Sequence, residues 1–233
     1  MLVGDDESPK RRRARRNHPK FDSTYLFGRY IKAMTQTFSI NFDYRCPFAR
    51  NANEHLVTAL RNGAPYDVSF KGFSLTEAHV EEGGVSAFAD PKRHAELIAV
   101  AAGITVRDRF PDQFLEAHLS LFAIRHDDGK DLRDESVVRE ALTRAGVDAD
   151  AVFHEIEEGW PLVSLRTEHE TSVVDHAAFG VPTFISGDQA VFVRIMTRPE
   201  GNGVLATQTI DQVLALLASH PEINEYKHTT IAQ

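Results

Sequence analysis

The stretch Asn41-Phe42-Asp43-Tyr44-Arg45-Cys46-Pro47-Phe48-Ala49 decides how this chain is read, because it sets the only cysteine of 233 residues between a strand pattern and a helix pattern. Upstream, Phe38, Ile40 and Phe42 alternate with polar residues through Thr37–Asp43, the period of a half-buried strand. Downstream, Pro47 stands at a first helical position, where its missing N–H costs nothing and its fixed φ is already helical. The helix runs to about Arg61, with Phe48, Ala52, His55, Leu56 and Ala59 near one face, and Asn62-Gly63 closes it. A thiol at such a junction meets the unpaired N–H groups of the first turn and the positive end of the helix dipole, both of which favour the thiolate. Arg45 and Arg50 flank the position and would add to that effect if they turned toward the sulfur.

Working outward, Tyr66–Phe70 alternates again, so the helix reads as the crossover of a βαβ unit with two parallel strands. From Ser74 to about Gly159 the period is helical. Asp90-Pro91 opens a helix expected to end at Gly103; Pro111 opens another with Phe114, Leu115, His118, Leu121 and Phe122 in one stripe; Asp134 to Gly146 and Asp148 to Gly159 supply two more. A longer helix, about Leu162 to Phe179, leads back to Gly180-Val181-Pro182. Pro182–Ile185 and Ala190–Val193 around Ser186-Gly187-Asp188 read as a β-hairpin, and Thr209–Leu217 as a closing helix.

Cys46-Pro47-Phe48-Ala49, followed far downstream by Phe179-Gly180-Val181-Pro182-Thr183-Phe184-Ile185, resembles the thioredoxin superfamily and, within it, the DsbA-like branch with a helical insertion. The resemblance implies an α/β, thioredoxin-like fold with an inserted all-helical subdomain. It divides the chain into a basic extension (1–36), a thioredoxin-like domain in two parts (37–75 and 163–220), a helical insertion (76–162) and a tail (221–233). It also implies roles: Cys46 as the nucleophilic cysteine, Pro182 as a cis proline facing it, and Pro47, Phe48 and Val181 as substrate contacts. Ala49 departs from the family pattern, since it occupies the place of the resolving cysteine and cannot close an internal disulfide. The segment Ala218–Ile223 through Tyr226–Thr229 is similar to the C-terminus of the actinobacterial, mycothiol-linked members.

Composition bounds the alternatives. With 42% hydrophobic and 26% charged residues the chain can build a sizeable core. One cysteine rules out an intramolecular disulfide framework and points to a reducing, cytoplasmic setting. No run of eighteen apolar residues suggests a membrane span. The net charge of −8 is uneven: residues 1–33 carry nine Lys/Arg against four Asp/Glu, leaving 17 against 30 for the rest. An acidic body of this kind is a poor nucleic-acid ligand, and Lys10–Arg16 is expected to be a solvated tail, without the apolar region that twin-arginine export needs. Met34 is an alternative start for the folded part. The oligomeric state is not legible.

With Ala49 at the resolving position, the expected cycle is monothiol. Cys46 would form a mixed disulfide with glutathione, mycothiol or a protein thiol, and a second thiol would release it; the low-molecular-weight thiol would be a co-substrate, with no tightly bound cofactor and no metal. The eleven histidines show no metal-binding motif, and His118 with His126, or His169 with His176, at most share a helix face. Arg194 and Arg198 are candidates for clamping carboxylates of a small thiol. Two other functions stay open. One is a thiol-dependent isomerase or transferase resembling the 2-hydroxychromene-2-carboxylate isomerases, whose members usually carry serine where Cys46 stands; the other is a non-catalytic thioredoxin-like binding protein. Phe114 and Phe122 are either groove-lining or core.

Overall fold

Phe38, Ile40 and Phe42 alternate in sequence because they share one face of a strand, and all three are buried in β1 (Gln36–Phe42). The computed structural model describes residues 35–228 and 230, so the basic extension read over residues 1–36 lies, up to Met34, outside the described residues. Strand β1 pairs in parallel with β2 (Tyr66–Gly72), from Gln36 opposite Tyr66 to Phe42 opposite Gly72. Its ladder begins one residue earlier than the alternation suggests and releases Asp43, whose carboxylate is needed elsewhere. A parallel pair requires a crossover, and α1 (Pro47–Arg61) supplies it. On the other side β1 pairs antiparallel with β3 (Thr183–Ser186), which forms a hairpin with β4 (Gln189–Phe192), giving the order β2-β1-β3-β4. Gly187 turns the hairpin with φ 60, a conformation that suits glycine.

Between β2 and β3 the chain is helical: α2 (Leu75–Ala78), a 3-10 turn at Pro91–Glu96, α3 (Ile98–Arg109), a second 3-10 turn at Pro111–Gln113, α4 (Phe114–His126), α5 (Glu135–Arg144), α6 (Ala149–Glu157) and α7 (Trp160–His176). Asp134 and Asp148 cap α5 and α6 by accepting from the N–H groups of Ser136 and of Asp150 and Ala151. The closing helix α8 (Gly203–Ser219) packs along α1. The architecture is the expected α/β, thioredoxin-like fold, a mixed four-stranded sheet with a helical insertion between β2 and β3.

Three boundaries correct the expectations. Asp90-Pro91 opens a 3-10 turn, and the α-helix that follows runs straight through Gly103 to Arg109. Gly103 is a packing glycine, because a Cβ there would lie 2.9 Å from two ring carbons of Tyr44 and still nearer its hydroxyl. Helix α7 stops at His176, where Ala177 turns to φ 51, and α8 starts at Gly203, capped by the Asn202 side chain on the Leu205 N–H. Phe114 and Phe122 are core: Phe114 meets Phe70 of β2 edge-to-face at 5.1 Å, and Phe122 meets Tyr44 at 4.8 Å.

Candidate active site

Cys46 is the N-cap of α1, with extended φ −88 and ψ 120, and Pro47 follows as the first helical residue. The Ala49 N–H donates to Sγ at 3.4 Å, so the sulfur takes the place that a Ser or Asp oxygen occupies in an ordinary cap. The loop before it is held by Asp43, whose buried carboxylate accepts from the Arg45 N–H at 2.9 Å, the Arg45 guanidinium at 2.9 and 3.2 Å, and the Leu75 N–H at 2.9 Å. One side chain thereby ties the turn at residues 43–45 to the start of α2.

Across from the cap, the Val181–Pro182 peptide is cis, and the Val181 carbonyl accepts from Cys46 Sγ at 3.2 Å. Residues 135 positions apart therefore meet at the sulfur. Of the five residues singled out from the sequence, Cys46, Val181 and Pro182 converge on one point and are buried, with Cys46 8% exposed. Pro47 is exposed and Phe48 half-buried on the flank, where the Arg194 guanidinium lies over the Phe48 ring at 5.4 Å. Phe179, 71% exposed, packs on Phe192 at 5.0 Å and gives the approach to Pro182 an apolar margin. A separate cavity of about 320 Å³ opens beside Arg45, lined by Leu75, Thr76, His79, Arg93 and Glu96.

The electrostatics correct the expected thiolate. Burial pushes the Cys46 thiol above its ordinary value, the N–H groups of Ala49 and Phe48 pull it back in part, and the neighbouring Asp43 carboxylate pushes it up again. The flanking arginines do not oppose this. Arg45 is folded onto Asp43, while Arg50 donates to Glu54 at 2.9 Å and to Asp127 at 2.6 Å. The resting sulfur is thus a thiol, donating to Val181. Arg198, a candidate carboxylate clamp, is likewise engaged, with Glu54 at 2.5 Å and Asp127 at 3.5 Å.

A support beneath the loop was not visible in the sequence. The buried Tyr44 hydroxyl meets His118 Nδ1 at 2.9 Å, His118 Nε2 meets Asn53 Oδ1 at 3.0 Å, and Asn53 Nδ2 donates to the Ala49 carbonyl at 2.8 Å. His126, about two turns further along α4, has Nε2 2.9 Å from the Tyr44 carbonyl. The signal available beforehand was His118 inside an otherwise apolar stripe, a buried polar group that requires partners. Among the described residues no three His, Cys, Asp or Glu side chains stand together as a metal site, and no helix is long and apolar enough to cross a membrane.

A strand, a cysteine-capped helix and a cis proline facing the sulfur across an interrupted sheet make up a thioredoxin-like fold. Residues 113–198 match the family model of the DSBA-like thioredoxin domain. Among solved structures, a 2-hydroxychromene-2-carboxylate isomerase superposes with a TM-score of 0.53 at 14% identity, over 78% of this chain and 97% of that one. Pseudomonas aeruginosa DsbA superposes with 0.50 at 18% identity, over 78% and 85%. The oxidoreductase NmDsbA1 from N. meningitidis gives 0.50 at 14% identity, over 78% and 88%. At these identities the likeness is one of fold. No curated protein matches the sequence.

Proposed function

We propose that the protein is a thiol oxidoreductase that works through a mixed disulfide on Cys46. The observation that carries this reading is a cysteine sulfur at a helix N-cap, 3.2 Å from the carbonyl of the residue preceding a cis proline. In the proposed cycle the Cys46 thiol loses its proton to solvent, and the thiolate attacks a disulfide R–S–S–R′. A Cys46–S–S–R bond forms as R′–S⁻ leaves. A second thiolate then attacks the R sulfur, expelling the Cys46 thiolate and carrying R away as a new disulfide. Ala49, one turn on, offers no sulfur for internal release, so the second thiol comes from solution.

The chain's own groups have distinct tasks. As the sulfur ionises, its hydrogen bond to Val181 is lost and the Ala49 and Phe48 N–H groups take up the charge. Val181 is then free to pair its backbone with an extended substrate, with Pro182 as platform and Pro47 and Phe48 as flanking contacts. The proposed co-substrate is glutathione or mycothiol, the latter if the tail places the chain in the actinobacterial group, and a protein disulfide is the other substrate class. We assign the reaction to a reducing, cytoplasmic setting, with 37–75 and 163–220 as the thioredoxin-like domain and 76–162 as its helical insertion. The raised thiol pKa makes Cys46 a poor leaving group, so the mixed disulfide should be long-lived.

A second reading is favoured by the superposition on a 2-hydroxychromene-2-carboxylate isomerase and by the protonated state of the sulfur: Cys46 would help seat a small thiol that itself does the chemistry. Turnover of hydroxyethyl disulfide with glutathione separates the two. The oxidoreductase reading expects activity in the parent and none in Cys46→Ser. An inactive parent, or a Cys46→Ser variant that keeps thiol-dependent turnover, contradicts it.

A further inference from the structure

Cys46 lies between two residues that helix α4 holds from below, Tyr44 before it and, through Asn53, Ala49 after it. The direction of every bond in this chain is determined. Asn53 Nδ2 is committed to the Ala49 carbonyl, so Oδ1 faces His118 and must accept. His118 Nε2 therefore carries the hydrogen, and Nδ1, left as acceptor, takes the Tyr44 O–H. Neither titratable member of this relay changes charge near neutrality: burial, with Arg107 nearby, holds His118 down to about 3, and burial holds the Tyr44 hydroxyl well above its ordinary range. Tyr44, Asn53 and His118 are each fully buried. His126 adds a second hold on Tyr44 from about two turns along the same helix, at its carbonyl.

The geometry points to His118 as a positioning residue for Cys46: it fixes Tyr44 and the first turn of α1 together, and so fixes the distance from the sulfur to the N–H groups that stabilise its anion. The link to reactivity is mechanical. The Ala49 N–H that donates to Sγ at 3.4 Å belongs to the residue whose carbonyl Asn53 grips. A first turn free to relax outward loses it, and an anion deprived of one donor forms at higher pH. The helical insertion thereby acts on the thiol without touching it. Its reach follows from sequence positions that only the fold unites, since Tyr44 and His118 lie 74 residues apart and His118 and Asn53 65. This inference rests on Cys46 as the reacting group, but its readout is the thiol itself.

Iodoacetamide alkylation of the full chain, followed from pH 6 to pH 10, reports the thiolate fraction. The charged group acting on Cys46, Asp43, is common to all variants, and Arg45 and Arg50 stay on their carboxylates. Tyr44→Phe, which removes only the hydroxyl, should slow alkylation at pH 8 by about threefold, and His118→Phe, which breaks both bonds, by about tenfold with a rise of about one unit in apparent pKa. His118→Gln, whose amide can donate to Asn53 and accept from Tyr44, should stay within about twofold of the parent. A purely structural role predicts a lower melting temperature with an unchanged alkylation profile. That result, in either folded phenylalanine variant, overturns the inference; if His118→Phe does not fold, Tyr44→Phe decides alone. Absence of any mixed disulfide in the parent, with the alkylation pattern as stated, would sink the oxidoreductase reading and leave this one standing.

Discussion

Substituting Gly103 by alanine tests the packing under the reactive loop more sharply than any change at the loop itself. In an unconstrained helix interior the exchange would be favourable by about 1 kcal/mol, because alanine loses less backbone freedom on folding. Here the new methyl would sit 2.9 Å from Cε2 and Cζ of Tyr44 and nearer still to its hydroxyl oxygen. Tyr44 has no room to withdraw, being fully buried against Phe42, His118 and Phe122 at centroid distances of 5.2, 5.3 and 4.8 Å. Overpacking costs about 1–3 kcal/mol, and displacing the hydroxyl from His118 leaves buried polar atoms unpaired at about 1–3 kcal/mol more. Set against the propensity gain, Gly103→Ala should destabilise by about 3 kcal/mol. Urea unfolding followed by circular dichroism measures it. In a Tyr44→Phe background the hydroxyl overlap disappears while the ring contacts remain, so the penalty should fall by about half, and the double-mutant cycle should show coupling. A Gly103→Ala protein as stable as the parent, or additivity of the two changes, would refute the reasoning.

Other outcomes follow from the same network and its surroundings. In the unfolded chain His118 takes up its proton near pH 6.5, whereas in the fold it resists until about 3, so its contribution is present above pH 6.5 and is lost as the pH falls toward 3, at up to about 1.4 kcal/mol per pH unit. His118→Gln should therefore flatten the acid limb of the stability curve, but only partly, because His55, His126 and His169 are shifted the same way and remain; an unchanged limb contradicts this. Arg50→Met removes a mostly buried guanidinium from Glu54 and Asp127 and should cost about 1–3 kcal/mol in thermal unfolding, moderated because Asp127 is partly exposed and Arg198 still covers Glu54; a neutral effect would mean the network is inert. Phe179→Ser should change stability by less than about 0.5 kcal/mol, since the ring is largely exposed, yet slow capture of an apolar cysteine-containing peptide more than capture of glutathione. Equal slowing of both would remove Phe179 from the substrate face.

The elements around Cys46 were legible because their signals are local: alternation at Phe38, Ile40 and Phe42, proline at the first helical position, and Asn62-Gly63 at the end. The pairing of Cys46 with Val181 and Pro182 was readable only by resemblance, since nothing local links residues 135 apart. Gly103 misled because a glycine within a helical pattern has the same local signature whether it ends the helix or makes room for a tyrosine. The sequence pattern places the start of α8 at Thr209, six residues late, because the apolar periodicity shows only from there, whereas Asn202 is a cap and Gly203 already helical. The state of the thiol was misjudged because a helix-start position announces its N–H donors in sequence, while the burial and the Asp43 carboxylate that outweigh them are tertiary facts. For Arg45 and Arg50, proximity along the chain said nothing of their partners, and both are held by carboxylates rather than by the sulfur.

The central claim is that one buried sulfur exchanges disulfides without a partner cysteine. Intact-mass measurement of the folded protein after equilibration with reduced and oxidised glutathione, quenched in acid, tests it directly. A single glutathione adduct on Cys46 is expected, its fraction rising with the proportion of oxidised glutathione and falling when excess reduced glutathione is added. A protein that stays unmodified at every ratio, while the same cysteine reacts once unfolded in urea, would contradict it.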